Sequence, residues 1–228
     1  MSLQFIIGNS GAGKSYAAYQ NVICEASRNP ANMYYVIVPE QFTMQTQKTL
    51  VEMHPQKGIL NIDVLSFERL AYRIFEEVGG DTRKVLEETG KNMVLQKLVQ
   101  MNRKNLVYLK NQMKKPGYLD EVKSLISEFM QYEVHEEEMD KMINDAEGKP
   151  LLQMKLKDVS VLYQAFREYL SDHFMTSEEV LEVLAKEIPF SQKLRGSTVI
   201  LDGYTGFTPV QHTVIRELLA VCKKVSVT

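Results

Sequence analysis

Eight residues near the start, Gly8-Asn9-Ser10-Gly11-Ala12-Gly13-Lys14-Ser15, restrict what this chain can fold into more than any other stretch. They fit the pattern G-x-x-x-x-G-K-[ST], in which a short loop leaves a strand and opens directly into a helix. The flanks agree: residues 3–7 read as a short buried strand and residues 16–28 as a helix. Glycines let such a loop turn its N–H groups inward, and the helix N-terminus adds a favourable partial charge, so the loop suits a phosphate. Gly8, Asn9, Ser10, Gly11, Ala12, Gly13, Lys14 and Ser15 are therefore the candidate nucleotide-binding residues. Lys14 is placed to reach the β- and γ-phosphates of ATP, and the Ser15 hydroxyl to complete a Mg²⁺ shell.

Strand and helix patterns alternate after the loop. Residues 33–38 (Met-Tyr-Tyr-Val-Ile-Val) are an apolar, β-branched and aromatic run closed by Pro39, which suits a buried parallel strand. Residues 41–53 allow a helix, residues 62–65 a third strand, and residues 67–78 carry apolar positions at helical spacing until Gly79-Gly80. From about residue 81 the pattern turns helical: 87–103, 119–132, 136–146 and 152–170, broken at Pro116-Gly117 and Gly148-Lys149-Pro150. Glu136, Glu137 and Glu138 suit a solvated helix N-terminus, where the dipole favours acids. Strand, helix and strand return at 197–201, 208–221 and 224–227.

An open parallel α/β sheet covered by helices follows from this order. The expected organisation is an α/β domain of residues 1–84 plus 150–228, interrupted by an all-helical insertion at 85–149. The sequence stops directly after a strand-like run and reads as a fragment of a longer protein.

With 228 residues, 44% hydrophobic, 25% charged and a net charge of −2, the chain has an ordinary globular composition and no bulk basic charge for gripping nucleic acid. Cys24 and Cys222 fit no metal-ligand spacing and read as reduced, buried thiols of a cytoplasmic protein. No basic leader precedes Gly8, and no stretch approaches the ~20 apolar residues needed to cross a bilayer.

A phosphate-binding loop works with a carboxylate near the Mg²⁺, commonly at the end of a neighbouring apolar strand. Thr198-Val199-Ile200-Leu201-Asp202 supplies that pattern, making Ser15 and Asp202 the candidate Mg²⁺ pair. Gly203 stands at the next position, where many ATPases carry a glutamate that activates water. Glycine cannot act as a base, so no catalytic residue is assigned and hydrolysis is expected to be weak or absent. Glu40, after the second strand, is the geometric alternative.

Three segments together resemble one family. Gly8 to Ser15 is similar to the first motif of UvrD-like superfamily 1 helicases, whose P-loop domains are RecA-like. The run Val64-Leu65-Ser66-Phe67-Glu68-Arg69-Leu70-Ala71-Tyr72-Arg73-Ile74 is similar to their T-F-H-x-L-A-x-R-I segment. Leu201-Asp202-Gly203, with Gln211 further on, is similar to their V-D-E-x-Q-D-x-x-x-x-Q segment, with the Glu and the first Gln lost. Val38-Pro39-Glu40-Gln41-Phe42-Thr43, Ser66-Phe67 and Asp202-Gly203 make the resemblance closer to the N-terminal part of AddB-type subunits of AddAB helicase–nucleases.

This resemblance spans essentially the whole chain. It implies a RecA-like fold with a 1B-like helical insertion. It also implies a role beside an AddA-like motor subunit, on DNA, in double-strand-break repair. The nuclease and iron–sulfur region of such subunits and the second RecA-like domain have no counterpart here, and no adenine-reading glutamine motif precedes Gly8.

Phe42, Thr43, Ser66 and Phe67 match helicase positions along the single-strand path and are the candidate DNA contacts. The lysines and arginines of the insertion, Arg103, Lys104, Lys114 and Lys115, are scattered and carry no assignment. Two other readings of the residues stand beside this one: a P-loop small-molecule kinase, and a scaffold that binds no ligand.

Overall fold

Strand β1 (Leu3–Phe5) runs into the glycine loop, and helix α1 (Lys14–Arg28) follows at once. A computed structural model describes residues 2–79, 83–112, 115, 117–171 and 174–228. In chain order the next elements are β2 (Tyr34–Ile37), α2 (Thr43–Met53), β3 (Ile62–Leu65), α3 (Phe67–Val78) and β4 (Lys84–Val85). Helices α4 (Glu88–Met101), α5 (Leu109–Gln112), α6 (Tyr118–Gln131), α7 (Glu136–Asp145) and α8 (Pro150–Ser171) follow. The chain then forms β5 (Phe174–Met175), α9 (Ser177–Glu187), β6 (Thr198–Leu201), α10 (Pro209–Val221) and β7 (Lys224–Val227). Two units result, one of residues 1–81 and 181–228, the other of residues 82–180.

The first unit holds a parallel sheet in the order β1-β7-β6-β2-β3. All four residues of β2 and all four of β6 are buried, which explains their unbroken apolar and aromatic runs. Tyr34, Val36, Val38, Ile62, Val64 and Ile200 form a core with Ala18, Val22 and Ala26 of α1 and Leu50 of α2. By alternation, Tyr35, Ile37, Val199 and Leu201 face the opposite side, where α3 packs on β3 and α10 on β7. The ends of α3 are written in sequence: the Ser66 hydroxyl accepts from Arg69 N–H, and Gly79 ends the helix at φ +76.

One expectation about this unit fails. The first strand is not buried: Leu3, Phe5 and Ile7 are 46%, 62% and 91% exposed. Strand β1 lies at one sheet edge beside β7, whereas β3, at the other edge, is packed by α1, α2 and α3 and stays largely buried. Cys222 is buried beside the Ser197 hydroxyl, but Cys24 is exposed on the outer side of α1.

The second unit gathers Leu95, Leu98, Ile126, Phe129, Leu162 and Phe166 from α4, α6 and α8 into its own core. Asp158, buried within α8, accepts hydrogen bonds from the N–H groups of Val107, Tyr108 and Leu109 and so pins the start of α5. The helix at Glu136 begins as expected, with the Glu138 carboxylate accepting from His135 N–H at 2.8 Å. This unit is not all-helical, because β4 and β5 pair in parallel, Lys84 opposite Phe174 and Val85 opposite Met175. Two-residue strands are too short to show a period, which is why the sequence hides them. Buried residues of α8 join the helical core, in keeping with a second unit that runs from residue 82 to residue 180. Gly80, Lys114 and Pro116, cited above as breaks or charges, lie outside the described residues. Among the described residues no helix is long and apolar enough to cross a membrane.

Candidate functional site

Because the five strands run parallel, their carboxyl ends share one edge of the sheet, the edge at which open α/β folds bind ligands. Gly8, Pro39, Ser66, Asp202 and Thr228 follow the five strand ends. The candidate residues from distant parts of the sequence therefore meet along this edge.

The glycine loop has the backbone its sequence requires. Gly11 and Gly13 take φ values of +78 and +82, a region L side chains resist. A Cβ on Gly8 would come within 3.2 Å of the Ala12 Cβ. Ala12 N–H closes a turn onto Asn9 O at 3.1 Å. No side chain caps α1, which leaves the N–H groups of its first turn to the loop. The Lys14 ammonium donates to Gly8 O at 2.9 Å and to Asn9 O at 3.1 Å, and so lies against the same loop.

The second half of the site arrives from β6. Ser15 Oγ donates to Asp202 Oδ1 at 2.8 Å, across 187 residues of sequence. Asp202 is 5% exposed, and its N–H continues the β6–β2 ladder by donating to Ile37 O at 3.0 Å. Two further hydroxyls donate to the carboxylate: Thr228 Oγ1 to Oδ1 and Tyr19 OH to Oδ2. Sequence reasoning missed Tyr19, since nothing local links it to a residue 183 positions away. Burial, reinforced by the bond to Asp202, pushes the Tyr19 phenol well above its ordinary pKa and keeps it a neutral donor.

Gly203 follows Asp202 at φ +79. A Cβ there would stand 3.5 Å from Pro39 Cδ and 3.8 Å from Phe42 Cδ2, which is ordinary contact. Backbone conformation rather than lack of space favours glycine. Glu40 points elsewhere: its carboxylate pairs with Arg69 at 2.8 Å.

The four candidate DNA contacts differ in exposure. Phe42 is 42% exposed, whereas Thr43, Ser66 and Phe67 are buried. The Thr43 hydroxyl donates to Glu40 O, and Ser66 caps α3. Phe67 meets Tyr204 at 5.5 Å between ring centroids, Tyr204 meets Phe207 at 5.1 Å, and Phe207 meets the exposed His212 at 5.8 Å. A ladder of rings thus leads from Phe67 to the surface. Of these rings only Phe67 was a candidate from sequence; its contact with Tyr204 joins segments far apart in the chain. A pocket of about 290 Å³, walled by Tyr19, Phe42, Thr46, Asp202 and Gly203, lies between Phe42 and the carboxylate.

No group of three or more His, Cys, Asp or Glu stands together to hold a metal among the described residues. The hydroxyl of Ser15 and the carboxylate of Asp202 are hard oxygen donors. They fit a Mg²⁺ ion that takes the rest of its shell from phosphate oxygens and water.

Residues 5–228 match the family described as ADDB, N-terminal. The chain belongs to the AddB N-terminal family. It is 51% identical over 228 residues to an ATP-dependent helicase/deoxyribonuclease subunit of Lachnoclostridium phytofermentans. Proteins of the same name from Alkaliphilus metalliredigens and Clostridium tetani are 33% identical over 228 residues and 34% identical over 230. Each similarity takes in 100% of this chain and 20% of the relative, so the chain spans about one fifth of their length. The AddB match runs through both units and through every candidate residue of the sheet edge.

Proposed function

We propose that this chain is the helicase-like N-terminal part of an AddB-type subunit, binding ATP and Mg²⁺ without driving a motor. In that role it helps an AddA-like motor subunit hold DNA in a helicase–nuclease complex for double-strand-break repair. The observation that carries the reading is the 2.8 Å contact between Ser15 and Asp202, with Gly203 beside it. A phosphate loop and its Mg²⁺ acid are brought together, while the position that would activate water has no side chain.

A loop after β1 and an acid after β6 of one parallel sheet support a RecA-like domain, and the unit of residues 82–180 interrupts it in sequence as a 1B-like insertion would. In the site, the loop N–H groups and the Lys14 ammonium hold phosphate oxygens, and Asp202 orients the Ser15 hydroxyl. Bound Mg²⁺ would neutralise charge between the β- and γ-phosphates. No residue takes a proton from water, so the nucleotide is held rather than consumed. For DNA, Phe42 offers a ring at the surface for base stacking, while Thr43, Ser66 and Phe67, the other three candidate contacts, are buried.

Titration of the purified protein with a fluorescent ATP analogue and Mg²⁺, beside Lys14→Ala, tests this reading. Saturable binding is expected, weakened at least about tenfold in Lys14→Ala as a charge-assisted contact is lost. Phosphate release should stay at background even with single-stranded DNA, and Phe42→Ala should weaken retention of a labelled oligonucleotide. An absence of nucleotide binding by the unmodified protein would favour the scaffold reading. Robust DNA-stimulated turnover would refute the motor-inactive assignment.

A further inference from the structure

The Asp202 carboxylate has a hydroxyl donor that the phosphate-loop pattern does not include. Tyr19 stands one helical turn beyond Ser15 on α1, at the i+4 position that brings two side chains onto one face. Both reach the same carboxylate, Ser15 at Oδ1 and Tyr19 at Oδ2. Thr228 Oγ1 also donates to Oδ1, the oxygen Ser15 already holds, so it is the Tyr19 bond at Oδ2 that stops rotation about the terminal torsion, which is otherwise broad. Tyr19 is located in turn: it is 6% exposed, and its hydroxyl meets Thr46 Oγ1 of α2 at 3.5 Å. The phenol thus braces the carboxylate between two helices, on the side where the 290 Å³ pocket would otherwise let it swing away from Ser15.

We propose that Tyr19 is a positioning residue of the Mg²⁺–nucleotide site: its hydroxyl fixes Asp202 so that Oδ1 stays on Ser15, and this alignment sets how strongly Mg²⁺ tightens nucleotide binding. The proposal rests on the nucleotide-binding reading above. A polar group that orients a metal-site carboxylate without touching the ion commonly changes metal affinity about 10- to 100-fold when removed.

The test measures the affinity of a fluorescent ATP analogue twice, with excess Mg²⁺ and with EDTA, for the unmodified protein, Tyr19→Phe and Thr46→Val. Tyr19→Phe should leave the EDTA affinity within about twofold, while the tightening by Mg²⁺ falls about tenfold and its midpoint moves to higher Mg²⁺. Thr46→Val keeps the phenol but removes its brace, so a smaller loss in the same direction is expected. A purely structural role would lower the melting temperature and both affinities together, leaving their ratio intact; that result overturns the proposal. Tighter Mg²⁺-dependent binding in Tyr19→Phe also overturns it, since the hydroxyl would then be competing with the ion. If Tyr19→Phe does not fold, an unchanged ratio in Thr46→Val overturns the proposal and a reduced one supports it. No binding by the unmodified protein sinks the nucleotide reading itself, an outcome distinct from the others.

Discussion

At Gly203 two properties coincide: no side chain is present to activate water, and the backbone sits at φ +79. The second protects the first. An L residue in the left-handed region costs about 1–2 kcal/mol, so a glutamate cannot be placed here without strain. Gly203→Glu should therefore lower the melting temperature by about 2–8 °C for a chain of this size. Phosphate release with Mg²⁺, ATP and single-stranded DNA should remain at background, because the strained backbone does not aim the new carboxylate. Thermal unfolding and a phosphate-release assay on the same preparation check both halves. A clear gain of hydrolysis would mean that the missing base alone had silenced the site.

Helix α3 shows how one element both belongs to the site and is anchored away from it. Its N-terminus at Ser66 lies on the sheet edge, while Glu77, in its last turn, holds the segment after the Ile188–Phe190 turn. The Glu77 carboxylate accepts from Ser191 Oγ at 2.7 Å and from the N–H groups of Gln192 and Lys193 at 2.8 and 3.0 Å. An acid in the last turn opposes the helix dipole, so these bonds must outweigh that cost. Burial alone would raise the Glu77 pKa, but the Ser191 hydroxyl and the two N–H groups bring it below the ordinary carboxylate value. The folded state thus favours the ionised acid. Its contribution is complete above the ordinary carboxylate pKa and is lost as pH falls through the lowered folded value. Glu77→Ala should cost about 1–2 kcal/mol near neutrality, the difference from the unmodified protein shrinking as pH drops below about 4–5. Denaturant unfolding across that range measures it; a difference independent of pH would show that the charge is irrelevant.

What was legible at this scale follows from where each element lies. Central strands β2 and β6 are buried on both faces and wrote that into continuous apolar runs. Ser66 and Gly79 marked the ends of α3. Strand β1 wrote the same apolar run yet is exposed, because a sequence does not say which edge strand the helices cover. The short β4 and β5 left no period to read, and α9 was not marked out as a helix of its own. In the site, the glycine loop and Asp202 were readable as local patterns, whereas Tyr19 and the Phe67–Tyr204 contact exist only once the sheet has brought distant segments together.

For the whole molecule, the division into two units has an energetic consequence because each has a hydrophobic core of its own. The helical core depends on a buried polar group. Asp158, 2% exposed, satisfies three consecutive N–H groups at Val107, Tyr108 and Leu109. Removing such an acceptor strands the buried Leu109 N–H at about 1–3 kcal/mol, while the N–H groups of the exposed Val107 and half-buried Tyr108 turn partly to water. Asp158→Ala is therefore expected to destabilise the unit of residues 82–180 by about 1–3 kcal/mol. None of the atoms at Ser15, Tyr19 or Asp202 belongs to that core, so the damage should stay within the unit that contains it. Hydrogen exchange should show faster labelling of α4, α6 and α8, with β2 and β6 keeping their protection and the affinity for Mg²⁺ and the ATP analogue unchanged. Equal loss of protection in β2 and β6 would mean that the two cores unfold as one, and that the unit of residues 82–180 is part of the cooperative unit that carries the candidate site.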